Sequence, residues 1–243
     1  ILSLPGAHPY VYGDWLHAPG KPTVLLYAHH DVQPPGRERL WKSPAYVPTR
    51  RAGRLYGRGT ADDKAGICVH GAAIESYLKT SGKLPLNVKV IIEGEEEIGS
   101  EHLEGFLKRF SQKLSADFIV LTDTGNYDTG VPSITTSLRG IVATELTVRT
   151  ADHPLHSGMW GGPLPDPVQA LAKMLAALSD ARGRIAIPGI YRDVRPPSAL
   201  ERRSLDSLRY TESKYRRESQ VLPGAKLVGG ASPPLVKMWR EPA

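Results

Sequence analysis

The sequence predicts an α/β fold: a mostly parallel sheet flanked by helices, followed by a second, smaller α+β domain. Two observations predict the sheet. Apolar segments rich in strand-forming residues occur at residues 22–29, 86–93 and 117–123, as expected for buried strands. Helical stretches separate these segments, and such alternation is typical of a parallel sheet with helices on its faces.

Two helices are predicted between the strands because apolar residues recur there at the spacing of one helix face. The predicted faces are Ile67, Gly71, Ile74 and Leu78 in the first helix, and Leu103, Phe106, Leu107 and Phe110 in the second.

The character of the chain changes near Leu138, and this change places a domain boundary between residues 1–137 and 138–243. Residues 141–150 alternate between apolar and polar side chains, which predicts a half-exposed strand. An amphipathic helix is predicted to start near Asp166.

Composition excludes several classes of protein. Cys68 is the only cysteine, so an internal disulfide and a thiolate zinc site are both excluded. No apolar run approaches the roughly 18 residues of a membrane span, and no secretory signal is evident, so we expect a soluble cytoplasmic protein without a membrane partner. The net charge of +6 comes without a nucleic-acid-binding motif, so no nucleic acid partner is expected. The chain starts at Ile1 without an initiator methionine, and we expect it to be a fragment.

Residues suited to metal chemistry follow the predicted strands. His29 and Asp31, Glu96 and Glu97, and Asp123 each come just after an apolar segment. Ligands of parallel sheets collect beyond the carboxyl ends of the strands, so these three groups are expected to converge on one rim.

Each motif has a simpler explanation when taken alone. A histidine such as His29 is more often structural than a ligand, and the acids of residues 57–64 (GRGTADDK) could merely cap a helix. Residues 93–100 (EGEEEIGS) hold four carboxylates within five positions at a strand end. Such charges repel each other unless a cation neutralises them, so the three motifs together favour a divalent-metal site over a surface acidic loop.

The segments LLYAHHDVQP, LYGRGTADDKAG, IIEGEEEIGS and LHSGMWGG follow one another between residues 22 and 162. They resemble the co-catalytic zinc metallopeptidases, the family of carnosine dipeptidase, glutamate carboxypeptidase, aminoacylase and succinyl-diaminopimelate desuccinylase. The resemblance implies a zinc exopeptidase-like fold in which residues 1–137 form an incomplete catalytic, metal-binding domain. Residues 138–243 would form part of a lid and dimerisation domain, so a homodimer is expected.

The resemblance also implies four metal ligands. His29 would bind one metal together with Asp123, Asp62 would bridge the two metals, and Glu97 would bind the other. A cis peptide bond commonly follows the bridging aspartate in this family. An aspartate at position 123, where other members have glutamate, favours the dipeptidase and aminopeptidase branch.

Three further roles follow from the resemblance. Asp31 would orient the His29 ring, and Glu96 would act as the general base that takes a proton from the attacking water. His156 resembles a lid-domain histidine that stabilises the oxyanion in the partner subunit's site of dimeric members; otherwise it would be a turn residue.

The function implied is metal-dependent hydrolysis of an amide bond with two divalent ions, zinc first and manganese or cobalt as alternatives. The expected substrate is a dipeptide or short peptide. An N-acyl amino acid deacylase or desuccinylase of the same family stays open. So does a non-catalytic remnant, because the family completes its second metal site with a late histidine and none follows His156 here. The chain taken alone is therefore expected to bind the Glu97 metal poorly.

Overall fold

The computed structural model describes residues 1–230 and 232–243. The chain divides into two compact units, Ile1–Ile134 and Thr135–Ala243, and each is described by itself. All the named strands of the described residues lie in the first unit. No helix in the described part of the chain combines the length and the apolar character needed to span a bilayer.

The first unit contains a four-stranded sheet in the order β1-β5-β2-β6 and a separate two-stranded hairpin, β3-β4. The strands are β1 (Val11–Trp15), β2 (Thr23–His29), β3 (Thr49–Arg51), β4 (Arg54–Tyr56), β5 (Asn87–Glu93) and β6 (Phe118–Leu121). Within the four-stranded sheet, β2 runs parallel to both β5 and β6, and β1 alone is antiparallel to its neighbour. The prediction of a mostly parallel sheet is confirmed.

Helices cover both faces of this sheet. They are α1 (Lys64–Ser81), α2 (Leu103–Arg109) and α3 (Ser111–Leu114), with short 3-10 turns at Glu38–Leu40 and Glu96–Ile98. On one face Tyr10 stacks on Phe106, with ring centroids 3.7 Å apart, and both residues are fully buried. On the other face Val24 and Val88 pack with Ile74 of α1. The burial of apolar side chains on both faces holds the parallel strand ends in register.

The buried face of α1 differs from the predicted one. Gly66 and His70 are its buried residues, whereas the predicted members Gly71 and Leu78 are exposed. The prediction counted Gly71 as apolar and His70 as polar, but the ring of His70 finds hydrogen-bond partners inside the protein. In α2, Leu107 is likewise 45% exposed, and only Phe106 is fully buried.

Strand β6 forms at the predicted place but is not buried as predicted. Its four residues are between 41% and 53% exposed. The physical reason is its position, because β6 is the last strand in the sheet order and, among the described residues, pairs only with β2.

The second unit is helical in the residues described. Its helices are α4 (Ser157–Trp160), α5 (Pro167–Ala177), α6 (Ala199–Ser207), α7 (Glu212–Glu218) and α8 (Pro234–Arg240). Helix α5 begins where predicted, with the Asp166 side chain accepting the Gln169 N–H. The strand predicted at residues 141–150 is wrong, since no strand forms there and Ile141 is 93% exposed. A strand needs a hydrogen-bonded neighbour, and the described residues of this unit provide none beside it.

Candidate metal centre

Three parallel strands deliver the candidate site to one rim of the sheet. His29 ends β2 and lies beside Glu93, the last residue of β5, while Tyr27 of β2 pairs with Leu121, the last residue of β6. The 3-10 turn carrying Glu96 and Glu97 follows β5, and Asp123 follows β6 by two residues. The expected convergence at the carboxyl ends of the strands therefore has a direct basis in the register.

His29 is the buried centre of the site. Its side chain is fully buried, and its ring nitrogens contact carboxylates on opposite sides. Nε2 lies 3.0 Å from Asp62 Oδ1, and Nδ1 lies 3.2 Å from Asp31 Oδ1. A proton on Nδ1 can be donated to Asp31, and this leaves the lone pair of Nε2 directed toward Asp62. Such a carboxylate behind the ring is how proteins commonly orient a metal-binding imidazole.

One atom each of His29, Asp62 and Asp123 lies within 4.8 Å of the others, close enough to share a single cation. The imidazole is buried, but both carboxylates are exposed, so the group opens to solvent on one side. Nitrogen and oxygen donors of this kind suit zinc and related divalent ions. The donor set therefore fits a divalent metal.

The electrostatics of the rim support the same conclusion. Burial raises the pKa of Glu96, and the charge of Asp123 adds to this effect against the opposing influence of His29. Burial also raises the pKa of Asp123, and after the opposing effect of His29 the charge of Asp62 raises it further. For His29, burial lowers the pKa, but the hydrogen bond with Asp62 and the surrounding acids outweigh it, so the net direction is upward. The rim is thus a negatively charged site in which a divalent cation would be stabilised.

Glu96 lies at the edge of the cluster. Its Oε2 is 3.9 Å from His29 Nε2, and its side chain is 36% exposed. This position places a carboxylate with a raised pKa next to the candidate ligands without making it one of the three grouped donors.

Glu97 is held apart from this group. Its backbone N–H donates to Asp31 Oδ2 at 2.9 Å, and the Gln33 amide donates to both its carbonyl oxygen and its Oε2, at 2.7 and 2.9 Å. Asp31 thus connects the turn after β5 to the His29 ring. The structure brings together His29, Asp31, Asp62, Glu96 and Asp123, and it fixes Glu97 beside them.

The two acids that precede α1 have separate roles. Asp63 is 2% exposed; its Oδ1 accepts the Gly66 N–H as the helix N-cap, and its Oδ2 accepts the His29 N–H, each at 3.2 Å. Asp62, in contrast, is 62% exposed and faces the imidazole. The peptide bond between them is cis, as the resemblance implies. The capping explanation is therefore right for Asp63, and the ligand hypothesis concerns Asp62.

The four carboxylates of residues 93–97 do not act as one cluster, contrary to the sequence interpretation. Glu93 is fully buried and accepts the Tyr27 hydroxyl proton at Oε2, 2.7 Å away. Glu95 is 1% exposed and accepts from the His8 N–H and from His102. Burial alone would raise the pKa of Glu95, but these hydrogen bonds outweigh it and lower the pKa. Alternation along the chain sends Glu93 and Glu95 inward, so Glu96 and Glu97 are the acids left at the rim.

The sequence did not predict the contacts of Gln33 and His70 that support this site, nor the hydrogen bond that joins Asp63 to the His29 N–H. A signal existed for His70, because Gly66, His70 and Ile74 recur at intervals of four residues along one helix face. No comparable signal exists for Gln33, since its contact with Glu97 joins residues 64 positions apart.

His156 belongs to the second unit. It is exposed, and its Nδ1 accepts the Gly158 N–H at 3.1 Å as the N-cap of α4. This is the turn role expected without the resemblance, and its assignment to catalysis stays a prediction.

Comparison with known proteins identifies the family of the chain. A sequence profile of Peptidase family M20/M25/M40 matches residues 25–233. The chain is 34% identical over 224 residues to a cysteinylglycine-S-conjugate dipeptidase of Corynebacterium striatum, with 91% of this chain and 47% of the relative covered. It is 33% identical over 237 residues to a beta-Ala-His dipeptidase of Homo sapiens, with 97% and 46% covered.

Solved structures give the same result. Human carnosine dipeptidase 1 superimposes with a TM-score of 0.70 at 29% identity, covering 96% of this chain and 49% of that protein. The M20 family metallo-carboxypeptidase Sso-CP2 of Sulfolobus solfataricus superimposes with a TM-score of 0.72 at 31% identity, covering 91% and 50%. The chain thus spans about half the length of the curated relatives it matches. With most of its length matched by the family profile, this chain belongs to Peptidase family M20/M25/M40.

Proposed function

We propose that this protein is a metal-dependent peptidase that hydrolyses the amide bond of dipeptides. The single observation that carries the proposal is the convergence of His29, Asp62 and Asp123 within 4.8 Å at the carboxyl ends of the parallel strands. Membership of the family supports it, as do the dipeptidase relatives.

The ligand roles proposed follow the geometry and the family resemblance. His29, Asp62 and Asp123 would hold one divalent ion. Asp62 would also be a ligand of a second ion, together with Glu97. A bound divalent ion polarises the scissile carbonyl and lowers the pKa of the attacking water. Zinc is the ion that we propose, with manganese or cobalt as alternatives, because the family resemblance implies it and both imidazole nitrogen and carboxylate oxygen bind zinc.

The remaining residues would handle protons and orientation. Glu96 is the proposed general base, since it lies beside the candidate ligands and burial, together with the charge of Asp123, raises its pKa; a raised pKa makes a carboxylate a better proton acceptor. After taking the proton, Glu96 would pass it to the leaving nitrogen. Asp31 keeps the His29 ring in one orientation through the Nδ1 contact of 3.2 Å.

Three finer predictions belong to the same proposal. We propose a homodimer formed through residues 138–243, in which His156 reaches the partner's site, and a cytoplasmic location. The resemblance supports the first two, and the composition of the chain supports the third. Neither a nucleic acid nor a membrane partner is proposed.

The test is a substrate panel assayed with added zinc, manganese or cobalt. It includes cysteinylglycine, beta-Ala-His, other dipeptides and N-acyl amino acids, and the full-length protein should hydrolyse dipeptides best. Glu96→Gln should reduce kcat by at least about 100-fold, because general-base catalysis typically contributes that much or more. Glu104→Gln, an exposed acid of α2, is the matched control and should leave kcat unchanged. Hydrolysis of N-acyl amino acids alone, or full activity of Glu96→Gln, would contradict the proposal.

A further inference from the structure

His70 is a buried imidazole that the proposed chemistry does not use. It lies on α1, it is 5% exposed, and its Nε2 contacts two groups outside its own helix. These are the Tyr27 carbonyl oxygen of β2 and the Thr122 hydroxyl, each 3.0 Å away. A histidine buried at the junction of a helix and two strands needs such partners, because an unpaired buried polar group is costly.

The partners determine where the proton of His70 resides. A carbonyl oxygen can only accept a hydrogen bond, so Nε2 at 3.0 Å from Tyr27 must carry the proton and donate it. The Thr122 hydroxyl lies 3.2 Å from the same oxygen and donates to it as well. A carbonyl oxygen has two lone pairs and can accept both donors. His70, Tyr27 and Thr122 thus form one connected group.

This hydrogen-bonded group lies where the regular pairing of β6 with β2 ends. The last register pair is Tyr27 with Leu121, and the backbone contact of Thr122 N–H with the Tyr27 oxygen is long, at 3.4 Å. The side-chain hydrogen bonds of Thr122 therefore hold the chain at the position directly before Asp123. Close packing limits the alternatives, because a Cβ placed on Gly66 would come within 2.3 Å of the Thr122 hydroxyl.

We infer that His70 and Thr122 are positioning residues that fix Asp123 where its carboxylate can join His29 and Asp62 in binding a divalent cation. The inference rests on the proposed metal centre and adds residues to it. Neither residue contacts the cation itself. They act by tying the end of β6 to the Tyr27 carbonyl, so that less conformational freedom has to be lost when Asp123 binds a metal.

The test measures the zinc dissociation constant of the protein by competition with a chelating dye. Thr122→Val keeps the side-chain shape but removes the hydroxyl, and His70→Leu removes the donor. Each should weaken zinc binding by about tenfold or more, in line with the effects of residues that support metal ligands. Thr122→Ser and His70→Gln keep a hydroxyl and an N–H donor, and both should bind zinc within about threefold of the wild type.

Thr80→Val is the matched control. Thr80 lies on the same helix, and its hydroxyl donates to the Ser76 carbonyl oxygen, away from the rim. It should not change zinc binding. The thermal unfolding midpoint of each metal-free variant is measured alongside, so that affinities are compared only among folded proteins.

Different results would overturn the positioning role of His70 and Thr122 and the metal centre itself. A lower unfolding midpoint with unchanged zinc affinity in Thr122→Val and His70→Leu would make the two residues merely structural and overturn the inference, while the metal centre would stand. Weak binding in Thr122→Ser and His70→Gln as well would overturn the hydrogen-bonding role. A wild-type protein that binds no zinc would overturn the metal centre itself.

Discussion

The double role of Asp63 gives a sharp prediction for stability. Its carboxylate is 2% exposed and accepts two backbone N–H groups, one from Gly66 and one from His29. Loss of a helix N-cap costs about 1 kcal/mol. A second hydrogen bond to a charged group contributes about 1.5–3 kcal/mol. Asp63→Ala should therefore lower the free energy of unfolding by about 3 kcal/mol.

Urea denaturation followed by circular dichroism, with EDTA present, measures this change without a contribution from metal. The control is Asp117→Ala, because Asp117 accepts a single backbone N–H, from Thr23, at an exposed position before β6. We expect a loss of about 1 kcal/mol there. Asp63→Asn retains an acceptor and should fall between the two. The reasoning is refuted if Asp63→Ala is no less stable than Asp117→Ala.

Three further predictions concern the core and the response to pH. Phe106→Ala should lower the free energy of unfolding by about 3–5 kcal/mol, measured by urea denaturation, because it removes a fully buried ring. Leu107→Ala, at an exposed position, should lower it far less. Equal losses in the two variants would contradict the assignment of Phe106 to the core. Zinc affinity should decrease as the pH is lowered, because protons then compete with zinc for His29 and Asp123. The pKa values of both residues are raised in the metal-free protein. Calorimetry in two buffers should therefore detect proton release on zinc binding at pH 6, and binding without it would contradict the electrostatic account. Glu95→Gln should be less stable than the wild type at neutral pH. Because folding lowers the pKa of Glu95 from 4.5, the difference in the free energy of unfolding between the two proteins should shrink as the pH falls through the lowered pKa. A difference that stays constant with pH would contradict the role given to the Glu95 hydrogen bonds.

The sequence predicted those parts of the fold and site that depend on local pattern. Apolar strands marked the parallel sheet, and the polar residues just beyond them marked its rim. Asp62 could be placed near His29 only by the family resemblance, because its local sequence pattern is equally that of a helix cap. Asp123 could be added because the third apolar segment predicted a strand in the same sheet.

Other features depended on contacts that local pattern does not encode. The inward rotation of Glu93 and Glu95 depends on donors from distant segments, such as the Tyr27 hydroxyl and the His8 N–H. The exposure of β6 follows from its place at the end of the sheet order, which no strand propensity specifies. Alternation at residues 141–150 predicted a strand, but a strand requires a neighbour as well as a pattern.

The central claim is that the acids at the strand ends hold a divalent cation together with His29. Metal analysis of the full-length protein after dialysis tests it most directly, comparing the wild type with Asp62→Ala and with Asp117→Asn at the opposite end of β6. The wild type and Asp117→Asn should retain zinc, and Asp62→Ala should lose it. Equal metal content in Asp62→Ala and the wild type would contradict the account.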